Sequence, residues 1–487
     1  MTYSLSILFT TSEQHKRLKE NVFTTTYITI SPTKDGATAK TKCINPNYNS
    51  NNPSSSFLPI KKLKVSSNLA SILPKFKVYP NPRRGSSSSF YSSCDLQTNQ
   101  TNRSILITLP HEVIFQILYF LDFTSIQTLS RTCCTMYTVC HDDDLWRKLF
   151  YTDFPWSSLS SNHSVKRRKS SAVIKPRHLA LYRNHLTLEQ RWLTGKVSTR
   201  FLQGHSDSVY CSAWIDKNVL VTGSRDRTLK VWHVPSGTCI KTVKDHHTGS
   251  VLCMKVDLKN NLLITGSSDA TCILWSLPKL EHKVQLRGHG HSVLDVCLVG
   301  NNRIVTSSKD HTLRVWDRHT GVELRQLLGH SASVNALEYV GGNQIVSASG
   351  DTRLKLWDIQ TGQCLRTFEG HKLGLACVRF DGKFLYSGGL EGKILCWDIT
   401  TGNCVNELIG HAGIVRSIDC LEGKIVSGSY DRTLKVWDSK TGACVLSFQS
   451  AQSSWIYSVL LSSTRIVSSG QGKQVMVLDF ANGLNPL

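Results

Sequence analysis

The stretch GHGHSVLDVCLVGNNRIVTSSKDHTLRVWD, residues 288–317, decides the fold. It opens on Gly288-His289, passes through Val305-Thr306, turns at Asp310 and closes on Trp316-Asp317. The same order recurs down the chain. Trp falls at 232, 275, 316, 357, 397 and 437, with Leu478 standing seventh, at gaps of 43, 41, 41, 40, 40 and 41 residues. A period near 40 carrying these two dipeptides predicts four short strands per unit, stacked as blades. The expected fold is an all-β, seven-bladed propeller over 195–487. Such a body is a presentation surface, so function is sought on its rim and mouth.

Thr194-Gly195 precedes the first repeat as Thr320-Gly321 precedes a later one, and Asn482-Gly483 matches both near the chain end. The segment Lys196 to Leu202 is therefore expected to supply the outer strand that blade seven lacks, removing an exposed edge. Within the repeats, His205, Thr222, Asp226 and Trp232 return as His247, Thr265, Asp269 and Trp275, then as His289, Thr306, Asp310 and Trp316, and again with His330 and His411. His, hydroxyl and Asp together resemble a hydrolase triad. Active sites are single, however, whereas a hydrogen-bond chain tying loop to strand must be repeated blade by blade, so the set reads as structural. Blade five has Glu391 for the Asp, and blade seven has Gln452, Gly472 and Leu478 at the three positions, so these two are expected to be the least rigid.

Ahead of the propeller the texture changes twice. Residues 1–108 are rich in Ser, Thr and Asn without a sustained apolar period, which predicts a disordered basic tail. From Leu109 an all-α unit is expected over 109–150. Pro110 is placed for a first helical turn, and Val113, Ile114, Ile117, Leu118 and Leu121 lie on one wide apolar face. Thr124 and Gln127 form a candidate capping box for a second helix that carries Ile126, Leu129 and Cys133 inward, and a third helix is expected near Asp142 to Phe150 with Leu145, Trp146 and Leu149 inside. Residues 151–194 read as a linker with a basic loop, Lys166-Arg167-Arg168-Lys169, that permits nuclear import, followed by a spacer helix over His178 to Trp192.

The net charge is +22. Basic residues exceed acidic ones by ten in 1–108, by four in 109–194 and by eight in 195–487. Nearly half the excess thus sits in the tail, and no aromatic-interleaved basic groove supports nucleic acid as the partner. The sixteen cysteines include no CxxC pair, and Cys239, Cys364, Cys404 and Cys444 read as small buried hydrophobes in a reducing compartment. Cys133, Cys134, Cys140 and His141 fit no common zinc spacing, so neither metal nor cofactor is expected. No run of roughly 18 apolar residues predicts a membrane span. A soluble protein of the cytoplasm, the nucleus or both is expected.

Leu109-Pro110-His111-Glu112-Val113, Ile117-Leu118 and Leu145-Trp146-Arg147 resemble an F-box, and the repeats resemble WD repeats. The pairing resembles the F-box/WD substrate receptors of SCF ubiquitin ligases. It implies that the helical unit docks on a Skp-type adaptor, and through it on cullin and RING subunits, by way of Leu109, Pro110, Ile114, Ile117, Leu118, Leu121 and Trp146. It implies no catalysis by this chain. The propeller is most similar to the β-transducin repeat-containing receptors, on stretches such as Ser250-Val251-Leu252-Cys253 with Thr265-Gly266-Ser267-Ser268-Asp269, and Val415-Arg416 with Ser427-Gly428-Ser429-Tyr430-Asp431.

Positions beside the Gly-His loops and Asp turns should encircle the mouth. Read that way, Arg225, Lys309 and Arg416 face it with no carboxylate among them, which predicts an anionic ligand. Tyr210, Arg225, Ser250 and Ser268 offer a guanidinium and hydroxyls for one phosphate. The resemblance implies a phosphoserine there, with Lys309, Asn335, Arg416 and Tyr430 on the peptide. Leu373 and Leu390 stand where the resembled receptors use Arg and Ser for a second phosphate, so one phosphate plus an apolar side chain is the expectation. The alternative is a non-ligase WD scaffold in nuclear regulation or RNA metabolism.

Overall fold

A computed structural model describes residues 25–33, 36–44, 109–154, 177–449 and 454–484. The chain divides into two compact units, Met1–His185 with Leu487, and Leu186–Pro486. In the first, where no element was expected, Thr25–Thr33 pairs antiparallel with Gly36–Ile44. The rest of the expected tail, and the basic loop at 166–169, lie outside the described residues.

The helical part of the first unit holds α1 (His111–Leu118), α2 (Phe123–Leu129), α3 (Cys134–Cys140), α4 (Asp143–Asp153) and the start of α5 (Arg177–Thr194). Two details differ from expectation. Asp122, not Thr124, caps α2: its carboxylate accepts from Ser125 N at 3.1 Å and from the Thr124 hydroxyl, which puts Thr124 inside the helix. The Gln127 amide is left buried without a partner rather than closing a capping box. α3 was not foreseen, although Met136, Val139 and Cys140 bury at helical spacing; Cys133 is its N-cap, its sulfur 3.5 Å from Met136 N, and not a member of α2.

The core of this unit closes on Trp146. Its indole nitrogen donates to Cys140 O at 2.6 Å, and the Phe123 ring meets it edge-on at 5.5 Å. The beginning of α5 completes a core that three helices would leave thin. Tyr182 stacks on Phe123 at 5.9 Å, and His178 takes both oxygens of Asp143 at 2.8 Å.

The second unit is seven four-stranded antiparallel sheets. Six run outward in chain order, beginning with inner strands at Val209–Asp216, Val251–Asp257, Val293–Val299, Val334–Gly341, Leu375–Phe380 and Val415–Leu421. Blade seven contributes Ile456–Leu461, Arg465–Gly470 and Gln474–Asp479, and its outer strand is Ser198–Gln203, paired in register from Ser198 with Asp479 to Gln203 with Gln474. The expected closure is present. Arg191 and Trp192 of α5 pack on the same blade, Arg191 donating to the carbonyls of Phe480 (2.7 Å) and Asn482 (2.8 Å), Trp192 stacking on Phe480 at 3.6 Å.

The repeated polar set is a buried chain of hydrogen bonds. In blade one, Trp232 Nε1 donates to Thr222 Oγ1 (2.8 Å), and His205 bridges Thr222 (2.8 Å) to Asp226 (2.8 Å). An ionised carboxylate only accepts, so Nδ1 carries the imidazole proton and Nε2 receives the hydroxyl's. The same bonds join His247, His289, His330 and His411 to their partners. Burial works against the charge on Asp310, but hydrogen bonds from Thr312 and His289 prevail and hold its carboxyl down to about 2. In blade five the chain is broken. His371 Nε2 still meets Ser387 at 2.8 Å, yet Nδ1 has no partner, because the longer Glu391 turns its oxygen to the backbone N–H groups of Lys372 and Leu373 and stops 3.9 Å away.

The cysteines divide by strand position. Cys211, Cys253, Cys272, Cys297, Cys377 and Cys396 are buried as small hydrophobes, but Cys239, Cys364, Cys404 and Cys444 are exposed. They stand on outer strands, whose faces look to solvent, so the expectation for these four is corrected.

Two outcomes follow for the propeller. Glu391→Asp should complete blade five and raise stability by about 1 kcal/mol, read by thermal melting. Burial, only partly opposed by Glu391, lowers His371 to about 4, and lowers His289, His330 and His411 as well. A depressed histidine stabilises fully above its unfolded value, near 6.5, and the contribution disappears as pH falls toward the folded value. Melting temperature should therefore decline from pH 6.5 to pH 4, less steeply in Glu391→Asp.

Candidate functional site

Each blade presents one turn to the same face, held by the same bond. The N–H groups of Arg225, Ser268, Lys309, Gly350, Leu390, Tyr430 and Gln471 donate at 2.8–3.0 Å to the carbonyls of Ser208, Ser250, Ser292, Ser333, Gly374, Ile414 and Trp455. Two residues beyond those carbonyls, Tyr210, Leu252, Leu294, Asn335, Arg416 and Tyr457 line a central cavity of about 290 Å³. The positions assigned to the mouth from the sequence are thus structurally equivalent.

The eight candidate ligand-binding residues are not equally free. Arg225, Ser268 and Lys309 are exposed, while Tyr210, Ser250, Asn335, Arg416 and Tyr430 are half-buried. Ser250 and Ser268 lie directly together, Ser250 N donating to Ser268 Oγ at 2.8 Å. The Asn335 amide is committed to Leu375 O (2.6 Å) and accepts from the Ser333 hydroxyl (3.0 Å), and Arg416 donates to Ala376 O (3.3 Å). Leu373 and Leu390 are each 49% exposed on blade five, where Leu390 N donates at 3.0 Å to the carbonyl of Gly374, the residue after Leu373.

One expectation is corrected. A carboxylate does stand at the mouth: Asp207, half-exposed, lies 3.7 Å from Arg225. Its other oxygen accepts from Ser208 N at 2.7 Å. An anion arriving at Arg225 would displace a partly screened ion pair rather than meet a free guanidinium.

Two groupings were not foreseen from the sequence, although the residues of the second were read individually as mouth positions. The first is a charged belt deeper in the channel, where Arg379 bridges Glu338 (3.0 Å) and Asp419 (2.8 Å), and Lys255 lies 3.7 Å from Glu338. Those two carboxylates raise Arg379 further and keep it charged although it is half-buried. Asp295 is pushed up by burial, against a hydrogen bond from Leu337 N of the next blade at 2.8 Å. Charged residues inside otherwise apolar inner strands were the available signal. The second is aromatic. Tyr210 stacks on Tyr457 (5.0 Å), Tyr457 meets Tyr430 edge-on (5.7 Å), and Tyr430 stacks on Trp455 (4.9 Å). Burial, Tyr430 and Tyr210 push Tyr457 up to about 12, with Arg416 and Arg225 pulling the other way, so both guanidinium groups act on this aromatic run.

In the helical unit, Ile114, Leu118, Leu121 and Trp146 are consumed by the unit's own core. Leu109 and Ile117 are half-buried, Pro110 is exposed, and Phe120, not singled out before, is 37% exposed. The wide stripe of α1 is therefore mostly structural, and the surface left to a partner is smaller than the sequence suggested.

Residues 106–152 match the F-box-like family model, and 196–233, 237–276, 280–317, 321–358, 362–398 and 402–438 match the WD domain, G-beta repeat. The chain is 32% identical over 155 residues to the F-box/WD repeat-containing protein 7 of Drosophila melanogaster, covering 31% of this chain and 12% of that protein. It is 33% identical over 168 residues to the F-box and WD repeat domain-containing 11-A of Danio rerio, covering 30% of each. It is 26% identical over 169 residues to the probable E3 ubiquitin ligase complex SCF subunit sconB of Arthroderma benhamiae, covering 28% of this chain and 24% of that one. These matches span less than a third of each relative. The WD40 β-propeller domain of Doa1 superposes with a TM-score of 0.53 at 24% identity, over 58% of this chain and 97% of that domain, a likeness of fold. The chain carries an F-box-like segment followed by WD repeats closed into a propeller, and its homologues are named F-box/WD repeat proteins.

Proposed function

We propose that this chain is a non-catalytic substrate receptor of an SCF-type ubiquitin ligase, working in the cytoplasm, the nucleus or both. The observation that carries the reading is the order of modules, an F-box-like unit and then a propeller with three cations at its mouth, in a chain whose relatives include a probable SCF subunit. The helical unit binds a Skp-type adaptor, which brings cullin and RING subunits, through Leu109, Pro110, Ile117 and the exposed Phe120; the buried Ile114, Leu118, Leu121 and Trp146 shape that surface. The propeller raises the effective concentration of a substrate lysine near a charged conjugating enzyme, a positional mechanism.

The ligand we propose is a peptide carrying one phosphate, as in the β-transducin repeat-containing receptors but singly charged. Arg225 is the anchor, with Tyr210, Ser250 and Ser268 around the phosphate and Lys309 and Arg416 on flanking acidic residues. Asn335 and Tyr430 contact the peptide backbone. Leu373 and Leu390 favour an apolar residue over a second phosphate.

Changing Pro110, Ile117 and Phe120 together to Asp should abolish co-purification with a Skp adaptor and cullin while leaving melting unchanged, since none of the three is fully buried. Retained binding would move the adaptor surface off these three residues, whereas no binding by the unchanged chain would remove the ligase reading and leave a WD scaffold. Arg225→Ala should weaken a singly phosphorylated peptide about 10- to 100-fold, read by fluorescence anisotropy. Leu373→Arg with Leu390→Ser should instead strengthen a doubly phosphorylated one.

A further inference from the structure

The repeats provide an internal comparison for what the fold itself requires. At the position whose carbonyl anchors each mouth turn, the first five blades carry Ser208, Ser250, Ser292, Ser333 and Gly374, and blade six carries Ile414. Blade seven carries Trp455, 42% exposed. Six blades fold without a large aromatic ring there, so closure of the propeller does not demand one.

The backbone under Trp455 is close-packed, as it is in blade five, where a β-carbon on Gly389 would lie 2.2 Å from Gly374 O. Gly470 stands where blade one has Ser224, whose hydroxyl donates to Ser208 O at 2.8 Å. A β-carbon on Gly470 would lie 1.9 Å from Trp455 O, so the backbone beneath the indole is folded in closer than serine permits. The indole then lies flat on Tyr430, 6° from parallel, and the run continues through Tyr457 to Tyr210 at the channel wall. Four rings from blades six, seven and one thus form a continuous ramp from rim to channel. Arg416 shares the channel lining with Tyr210 and Tyr457, and Arg225 lies on the turn bonded to Ser208, two residues before Tyr210.

We infer that this ramp is a specificity subsite for an aromatic side chain of the ligand, seated on Trp455 and Tyr430 beside the anion-binding arginines. The inference rests on the phosphopeptide reading above and deepens it. Ring faces attract a planar apolar group through offset or edge contacts. Arg225 and Arg416 disfavour a cationic one and favour a peptide whose neighbouring residues are acidic or phosphorylated. The occupant is therefore an extended peptide with an aromatic residue close to its phosphoserine, the phosphate lying toward blade one and the ring toward blades six and seven.

The test walks a single Phe, against Ala, through the positions flanking phosphoserine in a set of otherwise identical peptides, measured by anisotropy on the intact chain. At one or two positions Phe should strengthen binding about tenfold. Trp455→Ser, the residue four other blades carry there, should erase that gain while melting stays unchanged, and Trp455→Phe should keep most of it. A set in which no position of Phe matters, or a gain that survives Trp455→Ser, overturns the inference. Arg225→Ala reports separately on the phosphate. If phosphorylation proves irrelevant to binding, the underlying reading falls, and the Phe scan repeated on unphosphorylated peptides decides the subsite by itself.

Discussion

One buried hydroxyl in each of the first six blades organises the propeller. Thr222, Thr265, Thr306, Ser347, Ser387 and Ser427 are fully removed from solvent, and each takes a tryptophan N–H from the third strand while meeting a histidine from the preceding loop. Left unpaired, such a group would cost the full desolvation penalty, so loop and strands are tied by necessity as much as by attraction. In five blades the carboxylate at the end of the chain also accepts the next backbone N–H, as Asp226 does from Ser206 at 3.0 Å, which fixes the loop against the turn. Five of the variable mouth residues directly precede that acidic position: Arg225 before Asp226, Ser268 before Asp269, Lys309 before Asp310, Leu390 before Glu391, Tyr430 before Asp431. Anchor and variable position are neighbours, so the mouth can change chemistry without disturbing its support.

The fold was legible because its signal is periodic. Indole, hydroxyl, imidazole and carboxylate recur at near-constant spacing, and a closing strand could be placed from two matching Thr-Gly and Asn-Gly turns. What the sequence hid is what periodicity does not carry. α3 spans only seven residues, too short for its apolar spacing to stand out, and the choice of Asp122 over Thr124 as cap depends on a carboxylate that accepts two donors at once. The stripe on α1 looked like spare apolar surface because burial against α3 is a tertiary fact. The four outer-strand cysteines looked buried by residue type, yet the outer strand of a blade is the solvent-facing one.

The mouth was legible in position and only partly in electrostatics. Equivalence across blades puts Arg225 and Lys309 on matching turns and Arg416 in the channel lining, but Asp207 belongs to the loop just before the counted position and so escaped the inventory. The channel belt of Arg379, Glu338, Asp419 and Lys255 escaped for a related reason: paired charges on inner strands satisfy one another and give no net sign to notice. What emerges is an asymmetric face, with the hydroxyls and two exposed cations on blades one to three, the leucines on blade five, and the rings with Arg416 on blades six, seven and one.

The pairing of Ser198–Gln203 with Gln474–Asp479 has a consequence for synthesis. The first propeller strand to leave the ribosome is among the last to find its partner, waiting tens of seconds at about 5–20 residues per second. Until then both ends of the array offer unpaired strand edges, the feature that recruits other nascent chains. A chain that lacks residues 474–479 would hold six sound blades and still leave those edges open permanently. Those six residues therefore bear on what the protein spares the cell as well as on how its propeller closes.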